Sequence, residues 1–122
     1  MNNRYLPSHE WARAEGEVVT VGLSAFAAGE VGDVIHVGLP KAGASVTRGV
    51  PCAEIESVKS VNDYYSPLDG TVVEVNAALA DHPELVNQDP GAAGWFARIK
   101  PAKPGWADGL LTAEQYQAGL KK

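Results

Sequence analysis

Short apolar runs interleaved with polar residues divide this chain, and most are too brief to be helices. Val18–Val21 is one such run. Val34-Ile35-His36-Val37-Gly38-Leu39 alternates, which predicts a strand with Ile35, Val37 and Leu39 on one face. Ala53–Ser57 alternates too, with Glu54 and Glu56 on one face and Ile55 on the other. Ser60–Tyr65, Thr71–Val75 and Trp95–Ile99 complete the set. Glycines and prolines separate these runs, a pattern that predicts a small β sandwich or barrel. Helix is expected in three places. Ser24–Gly29 forms a turn or two, with Ser24 as cap and Gly29 as stop. Asp81–Leu85 starts another short turn. Ala113–Leu120 is the clearest helix, because Thr112 and Gln115 make a capping box and Leu111 and Tyr116 fit the accompanying apolar staple. Gly32–Val37 also echoes Gly70–Val75 at similar strand positions.

Composition narrows the class. The 122 residues are 45% hydrophobic and 20% charged, which suits one globular domain spanning 1–122 with a β core over about 17–100. Ten basic against 15 acidic side chains leave a net charge of -5, which argues against a nucleic-acid binder and against attraction to an anionic membrane. No signal-like or membrane-spanning apolar run is present. A single cysteine, Cys52, precludes an intrachain disulfide and is read as a small packed side chain; a cytoplasmic location follows as the expectation.

Few residues suggest chemistry. His9, His36 and His82 are scattered and lack metal-ligand spacing, so no metal site is expected. Phosphate-cradling glycine loops and a nucleophile elbow are absent from the sequence. Lys59 differs. It is the single Lys or Arg between Arg48 and Arg98, inside a stretch holding eight acids from Glu54 to Asp89. It also lies between two strand-like runs, as the tip of a tight hairpin with Val58. Three readings stay open from the residues alone. The lysine is a solvated surface charge, an imine-forming lysine, or the attachment point of a covalent group. The imine reading conflicts with the surroundings, since acidic neighbours and exposure favour the ammonium. Attachment needs exposure, protrusion and reach, and all three fit.

Glu56-Ser57-Val58-Lys59-Ser60-Val61-Asn62-Asp63-Tyr64-Tyr65-Ser66-Pro67-Leu68-Asp69-Gly70 resembles the lipoyl-attachment region of the glycine cleavage system H protein family. Pro7-Ser8-His9-Glu10-Trp11, Gly32–Pro40, Gly70–Asn76, Pro83–Pro90, Gly94-Trp95 and Ile99–Pro101 resemble further blocks of that family, in the same order, from about Tyr5 to Leu120.

The resemblance implies a mainly β fold: a barrel-sandwich hybrid of two small antiparallel sheets, of the lipoyl and biotinyl type, with short helices and a C-terminal helix. It implies lipoic acid in amide linkage to Lys59, and a carrier that is not itself an enzyme. The arm would take an aminomethyl group from the pyridoxal-phosphate glycine decarboxylase (P protein). It would surrender that group to the tetrahydrofolate-dependent aminomethyltransferase (T protein) and be reoxidised by dihydrolipoyl dehydrogenase (L protein). Ser8, Glu10 and Asp63 match the family's arm-docking cleft; an acid there suits a cationic amine, though a turn serine or a solvated strand charge is the plainer reading. Glu56 and Ser57 are expected to meet the lipoylating enzymes or other partners. An alternative is a related lipoate-relay or interaction module without glycine cleavage activity. Two departures bear on this: Ser24-Ala25-Phe26 stands where many members have Thr-Asp followed by an aromatic or His, and Gly91 stands where a tyrosine is common.

Overall fold

The computed structural model describes residues 3–120. Its elements in chain order are β1 (Arg4–Tyr5), β2 (Glu10–Glu15), β3 (Val18–Leu23), α1 (Ala25–Val31), β4 (Val34–Gly38), β5 (Ser45–Val46), β6 (Pro51–Ser57), β7 (Val61–Tyr65), β8 (Gly70–Val75), α2 (Ala78–Asp81), α3 (Leu85–Gln88), β9 (Ala97–Pro101), β10 (Leu111–Thr112) and α4 (Ala113–Leu120). They form two antiparallel sheets. One runs β10-β1-β2-β3-β9-β8-β5 and the other β4-β6-β7. The expected two-sheet fold with short helices is therefore present.

The core explains the register. Val19 and Val21 of β3, Val72 of β8 and Ile99 of β9 share one apolar cluster with Ile55 and Tyr64 of the smaller sheet. Slipping any of these strands by one residue would turn those side chains outward. Tyr64 is fully buried, lies against Phe96 at a 4.5 Å ring separation, and donates its hydroxyl proton to the Gly22 carbonyl at 2.8 Å. Gly22 has no room for a side chain: a Cβ there would sit 2.6 Å from the Trp11 ring. Trp11 donates its indole N–H to the Leu23 and Pro90 carbonyls, each at 3.0 Å, and so ties β2 to the segment after α3.

Several expectations need correction. The single face of Ile35, Val37 and Leu39 is interrupted: register shifts between Val34 and His36, so Val34 and Val37 are buried while Ile35 is 50% exposed. A β-bulge inserts one unpaired residue and reverses the alternation at that point. The echo between Gly32–Val37 and Gly70–Val75 extends to this defect. The pairing of β8 with β9 shifts between Val72 and Glu74, and Val73, the counterpart of Ile35, is 45% exposed. α1 does not stop at Gly29 but runs to Val31, and its C-cap is Gly32 at φ +82°. That backbone region is unstrained only for glycine. Ser24 does cap the helix, accepting the Ala27 N–H at 3.2 Å. The Asp81–Leu85 turn is split into the two single-turn helices α2 and α3. The N-terminal strands β1 and β2, outside the expected β core, join the larger sheet. α4 matches its expected bounds, and its capping box is formed by Thr112 N–H to Gln115 Oε1 at 3.0 Å and Gln115 N–H to Thr112 Oγ1 at 3.1 Å.

Candidate functional site

The hairpin between β6 and β7 carries Lys59 at its tip. Glu56 pairs with Val61 and Ser57 bonds Ser60, so Val58 and Lys59 form the two-residue tip expected. Its chemistry explains how it turns without Asn-Gly. Ser57 and Ser60 close it through a backbone bond, Ser57 N–H to Ser60 C=O at 2.8 Å. The Ser57 hydroxyl then accepts the backbone N–H groups of Ser60 at 3.2 Å and Lys59 at 3.4 Å. A serine hydroxyl here substitutes for the usual turn residues. Ser57, expected at a recognition surface, is only 5% exposed, and its hydroxyl organises the turn from inside. Glu56 is partly exposed on the opposite face from Ile55, between His36 and Val61 in the register.

The tip is anchored on one side. The Val58 N–H donates to the Asp33 carbonyl at 3.0 Å. The Lys59 stem lies over Gly32, whose added Cβ would be 3.2 Å from Lys59 Cε and 3.8 Å from Nζ. The missing side chain of Gly32 thus leaves the lysine its path beside the end of α1. Asn87 of α3, which sequence reasoning did not single out as functional, fixes this path. Its side chain accepts the Val34 N–H at 2.9 Å and donates to the Gly32 and Ala28 carbonyls at 2.8 and 3.3 Å. Lys59 itself is exposed and makes no ion pair among the described residues.

Beyond Gly32 a cavity of about 390 Å³ opens between α1 and the smaller sheet. α1 contributes Phe26, Ala27, Glu30 and Val31, β7 contributes Asn62, Asp63 and Tyr65, and Ile55 and Leu23 add apolar wall. Ser8 and Glu10, together with the sequence-distant Asp63, all line it. Asp63 is exposed at the rim, whereas Glu10 is 2% exposed. Ser8 donates its hydroxyl proton to Glu10 Oε1 at 2.5 Å, and the Tyr65 N–H donates to Oε2 at 3.1 Å. Burial pushes the Glu10 carboxyl above its ordinary range, and these two hydrogen bonds hold it partly down. Glu10 has no basic side chain as an ion-pair partner among the described residues. A buried carboxylate of this kind favours a cation that brings its own charge into the cavity.

His9 lies between Ser8 and Glu10 with φ +84°, the positive-φ residue other than glycine among the described residues. Such a conformation costs on the order of 1–3 kcal/mol and persists only where contacts hold it. The departures noted in the sequence fall in different places. Ser24 is buried behind the cavity, while Phe26 lines it and packs on His9 at 5.0 Å between ring centres. Gly91 lies in the open, where its carbonyl accepts from Arg13. Cys52 is half-buried, and desolvation followed by the nearby Glu10 charge pushes its thiol up to about 11, so it is not a thiolate at neutral pH.

Comparison with known proteins agrees along the whole chain. A family model described as Glycine cleavage H-protein matches residues 3–122. A glycine cleavage system H protein of Geobacillus kaustophilus is 50% identical over 119 residues, covering 98% of this chain and 94% of the relative. One from Thermus thermophilus is 49% identical over 117 residues, covering 96% and 91%. The crystal structure of a glycine cleavage system H protein from Mycobacterium marinum superposes with a TM-score of 0.89 at 36% identity, covering 98% of this chain and 97% of that one. The chain belongs to the glycine cleavage H-protein family, the lipoyl-carrying component of the glycine cleavage system.

Proposed function

We propose that Lys59 carries lipoic acid in amide linkage on Nζ and that the chain is a non-catalytic carrier of a one-carbon amine. The reading rests on one juxtaposition. An exposed, unpaired lysine at an anchored tip adjoins a cavity with apolar walls and a buried carboxyl that lacks a cation. The residues suit the group, for Phe26, Val31 and Ile55 would cover a hydrocarbon arm and Glu10 would meet a charged end. When attached, the dithiolane supplies the thiol that accepts and releases the amine between partner enzymes.

The chain's own residues do the rest. Gly32 leaves the lysine stem its path toward the cavity. The apolar wall excludes water from the cargo. Glu10, oriented by Ser8 and the Tyr65 N–H, pairs with the ammonium, and Asp63 at the rim adds a second negative charge. Glu56 is left facing outward for the lipoylating enzymes or other partners. The partners implied are a pyridoxal-phosphate glycine decarboxylase, a tetrahydrofolate-dependent aminomethyltransferase, dihydrolipoyl dehydrogenase and lipoylating enzymes. We place this exchange in the cytoplasm, in keeping with a single cysteine that can form no intrachain disulfide.

Intact mass and peptide mapping of the protein from a lipoate-supplied host test the attachment. One lipoyl group on the Lys59 peptide is expected. Lys59→Arg should fold with an unchanged melting temperature, gain no mass, and transfer nothing to the aminomethyltransferase. Lipoylation elsewhere, or transfer at the parent rate by the variant, would sink the reading. A lipoylated chain that supports no glycine–bicarbonate exchange with the decarboxylase would indicate a lipoate-relay module instead.

A further inference from the structure

We propose that Tyr116, on the C-terminal helix, is a positioning residue of the cavity: its hydroxyl joins the Ser8–Glu10 segment to α1 and holds Glu10 ready for a cationic cargo. The proposal deepens the carrier reading above and rests on it. Tyr116 is 4% exposed, and its hydroxyl meets His9 Nδ1 at 2.7 Å and Ser24 Oγ at 2.7 Å, across sequence separations of 107 and 92 residues. One proton order satisfies every group. Ser24 accepts the Ala27 N–H and donates its own proton to Tyr116; Tyr116 donates to Nδ1, leaving the ring proton of His9 on Nε2. The backbone repeats the connection, because the Ser24 N–H donates to the His9 carbonyl at 2.9 Å. Both ends of His9 are therefore tied to the cap of α1, one directly and one through Tyr116.

His9 is where such ties matter. Its left-handed backbone is what lets Ser8 and Glu10 both line the cavity with their side chains joined. A histidine there needs restraint that a glycine would not. Tyr116 can supply restraint because it is itself fixed: its ring stacks on Tyr5 at 4.1 Å and 2° between planes, on a helix with a complete capping box. Ser24, one of the departures from the family pattern, is thus a link in this chain and not a cavity residue.

Tyr116→Phe keeps the ring and deletes the link. In the unlipoylated chain, hydrogen exchange at the Ser24 and Tyr65 amides is expected to quicken by about five- to thirtyfold, the loss of two hydrogen bonds of modest net strength, with Val19 and Ile99 unchanged. In the lipoylated, aminomethyl-loaded protein, cargo loss consumes one water and yields the thiol, formaldehyde and ammonium. Formaldehyde release is expected to quicken by a similar factor in Y116F, and Y116F added to E10Q should give no further change. In a His9→Gly background, Y116F should alter exchange by less than about twofold. Unchanged Ser24 and Tyr65 exchange, or equal quickening throughout β3 and β9, overturns the positioning role alone. Formaldehyde release by E10Q at the parent rate overturns the cavity reading, and this proposal with it.

Discussion

At the scale of single residues, the proposed role of Glu10 is set against stability. Its carboxyl is buried without a basic partner, and desolvation raises its pKa despite the bonds from Ser8 and Tyr65. A raised carboxyl pKa in the folded state means that the fold binds this proton more tightly than the unfolded chain does. The associated stability is therefore fully present below the ordinary carboxyl range near 4.5, and is lost as pH rises through the folded value. Glu10→Gln should consequently melt at the same temperature as the parent or higher at neutral pH, with the gain disappearing near pH 4. Its amide can still accept the Tyr65 N–H and donate to Ser8. The same variant should lose protection of the loaded arm. Protection in the parent should also fade on acidification as Glu10 takes its proton. His9, Glu30, Asp63 and Tyr65 line the same cavity, so the profile is measured against E10Q to isolate the Glu10 contribution. A variant that melts several degrees lower at neutral pH would contradict this account.

At the scale of elements, the lysine hairpin rests on a segment that a neighbouring helix holds in place. α3 has a single turn, yet its Asn87 ties the end of α1 to the start of β4, the segment on which the tip rests. Asn87→Ala would strip partners from the Val34 N–H and from the Gly32 and Ala28 carbonyls. A loss of about 2–3 kcal/mol is expected, from two or three ordinary hydrogen bonds beside a partly buried backbone. Urea unfolding would read this as a lower midpoint at unchanged slope. A midpoint within a few tenths molar of the parent would show that water replaces the side chain. The two bulges belong to this scale as well. Each breaks an alternation, leaving Ile35 and Val73 on the surface at matching points of the Gly32 and Gly70 strands.

Across the whole molecule, the proposed carrier role makes the tip and the cavity one device for holding a tethered cargo. Docking of the loaded arm is intramolecular and should stabilise the fold by mass action. A docked-to-free ratio of about ten corresponds to about 1.4 kcal/mol and a rise in melting temperature of roughly 3–6 °C for a chain of this size. Calorimetry of the lipoylated protein with and without cargo should show that rise, and E10Q should abolish it. Equal melting temperatures for loaded and unloaded parent would mean that the arm stays in solvent.

Much of this was legible in the sequence. Alternation located most of the strands, because burying one sheet face imposes a period of two. The isolation of Lys59 among acids marked it before any fold was known. The capping box fixed the start of α4 to the residue, since both partners lie within one turn. What the tertiary structure alone decided lies at long separation. Ser8 and Asp63 were named only through the family resemblance, and nothing local joins Glu10 to Tyr65, 55 residues away, or Asn87 to Val34, 53 away. The bulges at Ile35 and Val73 escaped periodicity because a bulge is a response to the partner strand, which local hydrophobic pattern does not encode. The extension of α1 past Gly29 has the same origin. An isolated glycine is tolerated inside a helix, and the chain turns where the Asn87 amide donates to the Gly32 carbonyl. Local pattern determined most of the elements and singled out Lys59; contacts between distant segments decided the cavity, because a cavity exists only once its walls have met.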